Sequence, residues 1–148
     1  MTIVLTSPAF ADGGAIPARY SRDGDDVPPP LRWTGIPAGT AELALVVVDH
    51  DAPRGAFVHW IVAGLDPTLD GIDDGVATRK VEGVNSWGEV GYGGPQPPRG
   101  DPPHRYVFTL YALAEPSKFV NGARYVDFVD AIRGKELTEG HLVGLYAR

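Results

Sequence analysis

Residues 41–65 read AELALVVVDHDAPRGAFVHWIVAGL. The first part, Ala41 to Asp49, is a continuous apolar run rich in β-branched valine, the pattern of a strand buried on both faces. The last part, Ala56 to Leu65, is a second strand, with Phe57, His59, Ile61 and Ala63 assigned by alternation to one face. Val58, Trp60, Val62 and Gly64 fall on the other. The connection DHDAPRG is short, which makes the two strands neighbours, an antiparallel pair. Arg105 to Leu113 (RYVFTLYAL) is a third strong strand, with Tyr106, Phe108, Leu110 and Ala112 on a common face.

Elsewhere the pattern weakens. The opening, Leu5 to Leu31, is rich in Gly, Asp and Pro, and Pro28 to Pro30 favour an extended path without backbone donors. Asp66 to Gly100 is acidic and Gly-rich and includes GYGGPQPPRG; a loop of that length in a small chain is functional or disordered, and Trp87 and Tyr92 argue for order. One helix is expected within Tyr125 to Arg133, on a stripe of Val126, Val129 and Ile132, with Gly134 as its left-handed stop. His141 to Tyr146 closes the chain as a strand. Strands dominate and no βαβ alternation is present, so a mostly-β domain of sandwich or Greek-key type spans residues 1–148 as one unit.

Composition narrows the function classes. The chain has 148 residues, a net charge of −6, 19 Gly, 14 Pro and no Cys. An acidic chain without a basic run is a poor nucleic-acid binder and has little to hold it on an anionic bilayer. Without cysteine there are no disulfides, thiolate nucleophiles or Cys-ligated metals. Met1 to Phe10 carries neither a basic leader nor a long apolar run, and no stretch has the length of a membrane span. The expectation is a cytoplasmic protein without stable membrane insertion.

Four histidines are available: His50, His59, His104 and His141. Strand ends and Gly/Pro loops can gather Asp49, Asp51, His59, His104 and Tyr106 into one pocket. Imidazole and phenol donors there suit a small phosphate or carboxylate. Protonated imidazoles would bind such an anion more tightly, so affinity is expected to rise as pH falls through the imidazole range, helped by a neighbouring Asp51 carboxylate. The same Asp and His residues are acceptable metal ligands, but their spacing fits no metal motif, and neither metal nor cofactor is expected. No GxSxG elbow supports a serine hydrolase.

At these residues the sequence resembles the phosphatidylethanolamine-binding protein family, in its bacterial Raf-kinase-inhibitor-like branch. One signature is a DPDAP-type loop followed by HW, here Asp49-His50-Asp51-Ala52-Pro53 and His59-Trp60. The other is Gly91-Tyr92-Gly93-Gly94-Pro95-Gln96-Pro97-Pro98-Arg99-Gly100 followed by His104-Arg105-Tyr106-Val107-Phe108. The resemblance covers essentially the whole chain. His50 replaces the usual proline of the first signature, and Pro28 stands where relatives often carry serine.

The resemblance implies a fold of two antiparallel sheets with a C-terminal helix–strand element. It implies a pocket for phosphate or a phospholipid headgroup such as phosphoethanolamine, formed by Asp49, Asp51, His59, Gln96, Pro97, Pro98, His104 and Tyr106. It also implies a homodimer. The first functional reading is a non-catalytic, regulatory binder of small anions or lipid headgroups. The second is an inhibitor of a protein kinase or protease that uses the pocket rim. The third is an enzyme that uses His59, His104 and Asp51 as acid/base groups.

Overall fold

The computed structural model describes residues 2–73 and 80–148. In chain order the strands are β1 (Val4–Thr6), β2 (Gly14–Ala15), β3 (Leu31–Thr34), β4 (Glu42–Asp49), β5 (Phe57–Leu65), β6 (Gly71–Ile72), β7 (Val81–Glu82) and β8 (His104–Leu113). Helix α1 (Tyr125–Ile132) and β9 (Glu136–Tyr146) complete the chain. They form a three-stranded sheet ordered β1-β3-β6 and a six-stranded sheet ordered β2-β9-β8-β4-β5-β7. The domain is mainly β, with two sheets. Pairing is antiparallel except where β2 runs parallel to β9.

The continuous apolar run of β4 has the environment it calls for. Leu43, Leu45 and Val47 pack between the two sheets with Leu5, Leu31, Trp33 and Phe108. Ala44, Val46 and Val48 pack on the opposite face, under Phe119, Phe128 and Ile132. Tyr106, Phe108, Leu110 and Ala112 share the inter-sheet core, as alternation along β8 requires.

Strand β5 departs from simple alternation. Val48 pairs with Val58, but the next residue, Val47, pairs with Trp60, so His59 is an extra residue in the ladder. Such a bulge breaks the alternation of faces and re-aims a side chain. Val58 therefore lies with Ile61 and Ala63 in the helix-side core. Trp60 and Val62 lie between the sheets. The assignment of His59 to the face of Ile61 is corrected accordingly: its ring packs against Tyr106, with centroids 5.1 Å apart. A second register shift falls between Leu43 and Leu45. It accommodates Gly64, whose φ of +71° is a left-handed conformation that favours glycine.

Two further expectations are revised. The helix buries Phe128 and Ile132, while Val126 is 52% and Val129 37% exposed. The larger ring at Phe128 takes the inward position and turns the valine stripe toward water. Strand β9 begins five residues before His141, because the polar run 136–140 masks an edge-to-centre strand paired along the whole of β8. Gly134, with φ of +77°, stops the helix as expected.

Candidate functional site

The end of β4, the start of β8 and the bulge of β5 meet beneath the loop that follows β7. There they enclose a cavity of about 210 Å3, lined by Asp49, Ala52, Pro53, Phe57, His59, Trp87, Gln96, Pro97, Pro98, His104 and Tyr106. That is below the roughly 300–1,000 Å3 usual for drug-sized ligands, so the occupant is small. Asp49 and Tyr106 are cross-strand partners. His104 precedes Tyr106 by two residues, so the strand period places both on the cavity face. His59 and His104 are not on adjacent strands, since β4 separates β5 from β8. The Tyr106 ring bridges the two imidazoles, 5.1 Å from His59 and 6.5 Å from His104 by centroid.

His104 is held from both sides. Its Nδ1 lies 2.7 Å from Oδ2 of Asp49 and its Nε2 lies 3.0 Å from Oδ2 of Asp101. Burial opposes its charge, but the hydrogen bonds and the charges of these two carboxylates outweigh burial and raise its pKa. Both ring N–H groups of the imidazolium are then committed to carboxylates. Asp49 also accepts from the backbone N–H of Asp51 through Oδ1, at 2.8 Å.

His59 is the opposite case. Burial pushes its pKa down to about 4, against weaker upward pulls from the Gly93 carbonyl and from Asp49. It is therefore neutral near pH 7. Its Nδ1 lies 2.7 Å from the carbonyl oxygen of Gly93. A carbonyl can only accept, so Nδ1 carries the hydrogen and Nε2 is left as an acceptor. The Gly94 backbone adds a further, weaker upward pull on the ring. The bond is reciprocated, because the Gly93 N–H donates to the carbonyl of His59 at 2.9 Å.

These bonds order the Gly/Pro loop, as Trp87 and Tyr92 had suggested. The Tyr92 hydroxyl donates to the carbonyl of Tyr20 at 2.6 Å, and the Gly94 N–H donates to Asp26 at 2.7 Å. A Cβ on Gly93 would lie 2.5 Å from the Trp87 ring, so the loop can approach this closely only as glycine. Trp87 in turn packs edge-on against Phe57 and His59 and carries the Arg22 guanidinium over its face at 4.1 Å.

Tyr106 supplies the sharpest feature. Its side chain is essentially inaccessible, and its hydroxyl is a buried polar atom with no hydrogen-bond partner, the only such side-chain atom among the described residues. Tyr106 is also a lining residue of the cavity, and buried hydroxyls are normally satisfied, so this orphan stands out.

Of the residues read from the sequence, seven line the cavity: Asp49, His59, Gln96, Pro97, Pro98, His104 and Tyr106. Asp51 does not. Its carboxylate takes three hydrogen bonds from Arg105, at 2.9–3.0 Å, from the backbone N–H and the guanidinium. Those bonds hold its pKa down at about 2. The expectation that Asp51 raises an imidazole pKa in the cavity is thus corrected: Asp49 and Asp101 do this for His104. Pro53, Pro97 and Pro98 in the cavity wall have no backbone N–H to offer. Ala52, Pro53, Phe57, Trp87 and Asp101 were missed as site residues. Asp101 had a faint signal as the acid three residues before His104. Among the described residues no group of three or more His, Asp or Glu is arranged to hold a metal.

The sequence matches the family described as phosphatidylethanolamine-binding protein over residues 6–147. A UPF0098 protein of Methanothermobacter thermautotrophicus is 40% identical over 150 residues, covering 97% of this chain and 98% of that protein. Among solved structures, the phosphatidylethanolamine-binding protein homologue CT736 of Chlamydia trachomatis superposes with a TM-score of 0.93 at 35% identity, over 99% of this chain and 98% of that one. Escherichia coli YbcL, described as a member of the mammalian family, gives 0.93 at 26% identity, over 100% and 99%. With the family matched over residues 6–147 and the fold shared over nearly its whole length with these structures, the chain belongs to the phosphatidylethanolamine-binding protein family.

Proposed function

We propose that this chain is a binding protein for a small oxyanion, a phosphate group as carried by free phosphate, phosphoethanolamine or a phospholipid headgroup, and that its role is regulatory. The observation that carries the reading is a small cavity on which Asp49, His59, His104 and Tyr106 converge, with the Tyr106 hydroxyl buried and unpartnered. A phosphoryl oxygen is the acceptor this hydroxyl lacks. The aromatic and proline walls lower the local dielectric and make each polar contact stronger than it would be in solvent.

The same geometry argues for binding over acid/base turnover. An imidazole held near pKa 4 is a weak base at neutral pH. The other imidazole has both nitrogens committed to carboxylates. The inhibitor reading has no surface feature of its own in its favour.

The test is a titration of isotopically labelled protein with O-phosphoethanolamine and with inorganic phosphate, followed by NMR. Saturable shifts centred on Asp49, His59, Gly93, His104 and Tyr106 are expected. Resonances there that stay still at millimolar ligand would reject the proposal.

A further inference from the structure

The peptide group that joins Gly93 to Gly94 is held on both sides. Its carbonyl, that of Gly93, accepts from Nδ1 of His59 at 2.7 Å. Its N–H, that of Gly94, donates to Oδ1 of Asp26 at 2.7 Å. Asp26 does not line the cavity, yet it reaches the His59 ring through one peptide plane. The approach is close: a Cβ on Gly94 would lie 2.3 Å from the Tyr20 carbonyl oxygen and 2.9 Å from Oδ1 of Asp26.

Two features single this contact out. Asp26 has φ of +56°, and among the described residues only one other non-glycine residue, Lys118, has a positive φ. Aspartate tolerates that conformation at a cost, and such a cost persists where the surroundings demand it. The peptide it holds joins two glycines, which have no Cβ to hinder its rotation. A turned peptide would present the Gly94 N–H to Nδ1, and the ring hydrogen would then have to sit on Nε2.

We propose that Asp26 is a positioning residue for His59: by accepting the Gly94 N–H it holds this peptide in the orientation that keeps the imidazole hydrogen on Nδ1 and the ring fixed in the cavity wall. Its effect on binding rests on the oxyanion reading of the cavity.

The rest of the loop has its own anchors. The Tyr92 hydroxyl donates to the Tyr20 carbonyl at 2.6 Å, and the Arg22 N–H donates to the Pro95 carbonyl at 3.0 Å, one on each side of the peptide. The Gly93 N–H is bound to the His59 carbonyl. Without the Asp26 acceptor the loop keeps its place, and the peptide alone gains freedom to turn. Asp26 itself is braced by its own N–H, which donates to the Arg19 carbonyl at 3.1 Å, and by the Arg22 guanidinium, 3.7 Å from Oδ2.

The experiment compares wild type with Asp26→Gly and Asp26→Asn near neutral pH. Glycine adopts the left-handed conformation without strain and removes the acceptor; asparagine tolerates it and keeps one. Ring 15N shifts report which nitrogen of His59 carries the hydrogen, and calorimetry with O-phosphoethanolamine reports binding. Wild type and Asp26→Asn should show the Nδ1–H form and similar affinity. Asp26→Gly should melt near the wild-type temperature and show a mixture of the two forms. Its affinity should fall by the factor that mixture sets, about twofold if half of the chains keep Nδ1–H and about tenfold if one in ten does. Wild type alone should show scalar couplings across both hydrogen bonds, from the Gly94 nitrogen to the Asp26 carboxyl carbon and from Nδ1 of His59 to the Gly93 carbonyl carbon.

Wild-type ring shifts in Asp26→Gly, or a missing coupling in wild type, would overturn the proposal. So would an Asp26→Asn chain that behaves like Asp26→Gly, or a change of ring form with affinity that holds or rises. If O-phosphoethanolamine does not bind wild type, the oxyanion reading fails, and the ring shifts and couplings still decide whether Asp26 holds His59.

Discussion

Oδ2 of Asp49 lies 2.7 Å from Nδ1 of His104, and each side chain is only 5% exposed. A buried pair this short depends on its charge. Because the fold raises the pKa of His104, the pair's contribution is fully present below the ordinary value of 6.5 and is lost as pH rises through the folded value. Asp49→Asn should lower stability at pH 6 by about 1.5–3 kcal/mol, the worth of a charge-assisted hydrogen bond. It should also lower the NMR titration midpoint of His104. An unaltered midpoint would show that Asp101 alone holds the proton.

His59 has the opposite sign. Its pKa falls from 6.5 to about 4 on folding, so the neutral form is favoured in the native state. The associated stability is present above pH 6.5 and is lost as pH falls toward 4, on the order of 3 kcal/mol in all. His59→Gln, which keeps an N–H donor for the Gly93 carbonyl, should flatten this acid limb in urea unfolding between pH 4 and pH 7. A limb of unchanged steepness would assign the loss to carboxylates.

Tyr106→Phe separates folding from binding. The variant removes a buried hydroxyl that has no partner, so its melting temperature should hold or rise. Affinity for O-phosphoethanolamine should drop about tenfold, some 1.4 kcal/mol. A variant that binds as tightly as wild type would remove Tyr106 from the ligand contacts.

Gly93→Ala places a methyl against the Trp87 ring and forces the loop away from β5. Overpacking of this kind costs about 1–3 kcal/mol. Tryptophan fluorescence should shift and anion binding should weaken together. Binding that survives a displaced Trp87 would show that the aromatic wall is not needed.

Asp51→Asn tests the one residue taken from the sequence that the structure sets outside the cavity. The substitution keeps the backbone N–H that holds Asp49 and removes only the charge paired with the exposed Arg105. Exposed pairs contribute little. Anion affinity by calorimetry should equal that of wild type, and a marked loss would return Asp51 to the ligand shell.

The sequence made the fold's centre legible because β4, β5 and β8 are long and apolar, and burial on two faces leaves a strong periodic trace. The three-stranded sheet left none: Val4–Thr6 and Gly71–Ile72 are too short for a pattern. The site was legible as a set of residue types in two irregular loops and strand starts. Its polarity was not. Whether a histidine donates or accepts is decided by a carbonyl 34 residues away in the chain, as at His59 and Gly93. Asp51 looked like a site residue by its place in the loop, and only the position of Arg105 across the strands shows where its carboxylate goes.

The bulge at His59 has a further consequence. Removing that single residue would leave Val58 opposite Val48 and Trp60 opposite Val47, an unbroken ladder with every other pairing kept. The sheet would survive and the cavity would lose its imidazole. The proposed ligand contact thus hangs on one extra residue in an otherwise ordinary strand. The length of β5, more than the identity of its neighbours, decides whether a histidine stands in the cavity wall at all.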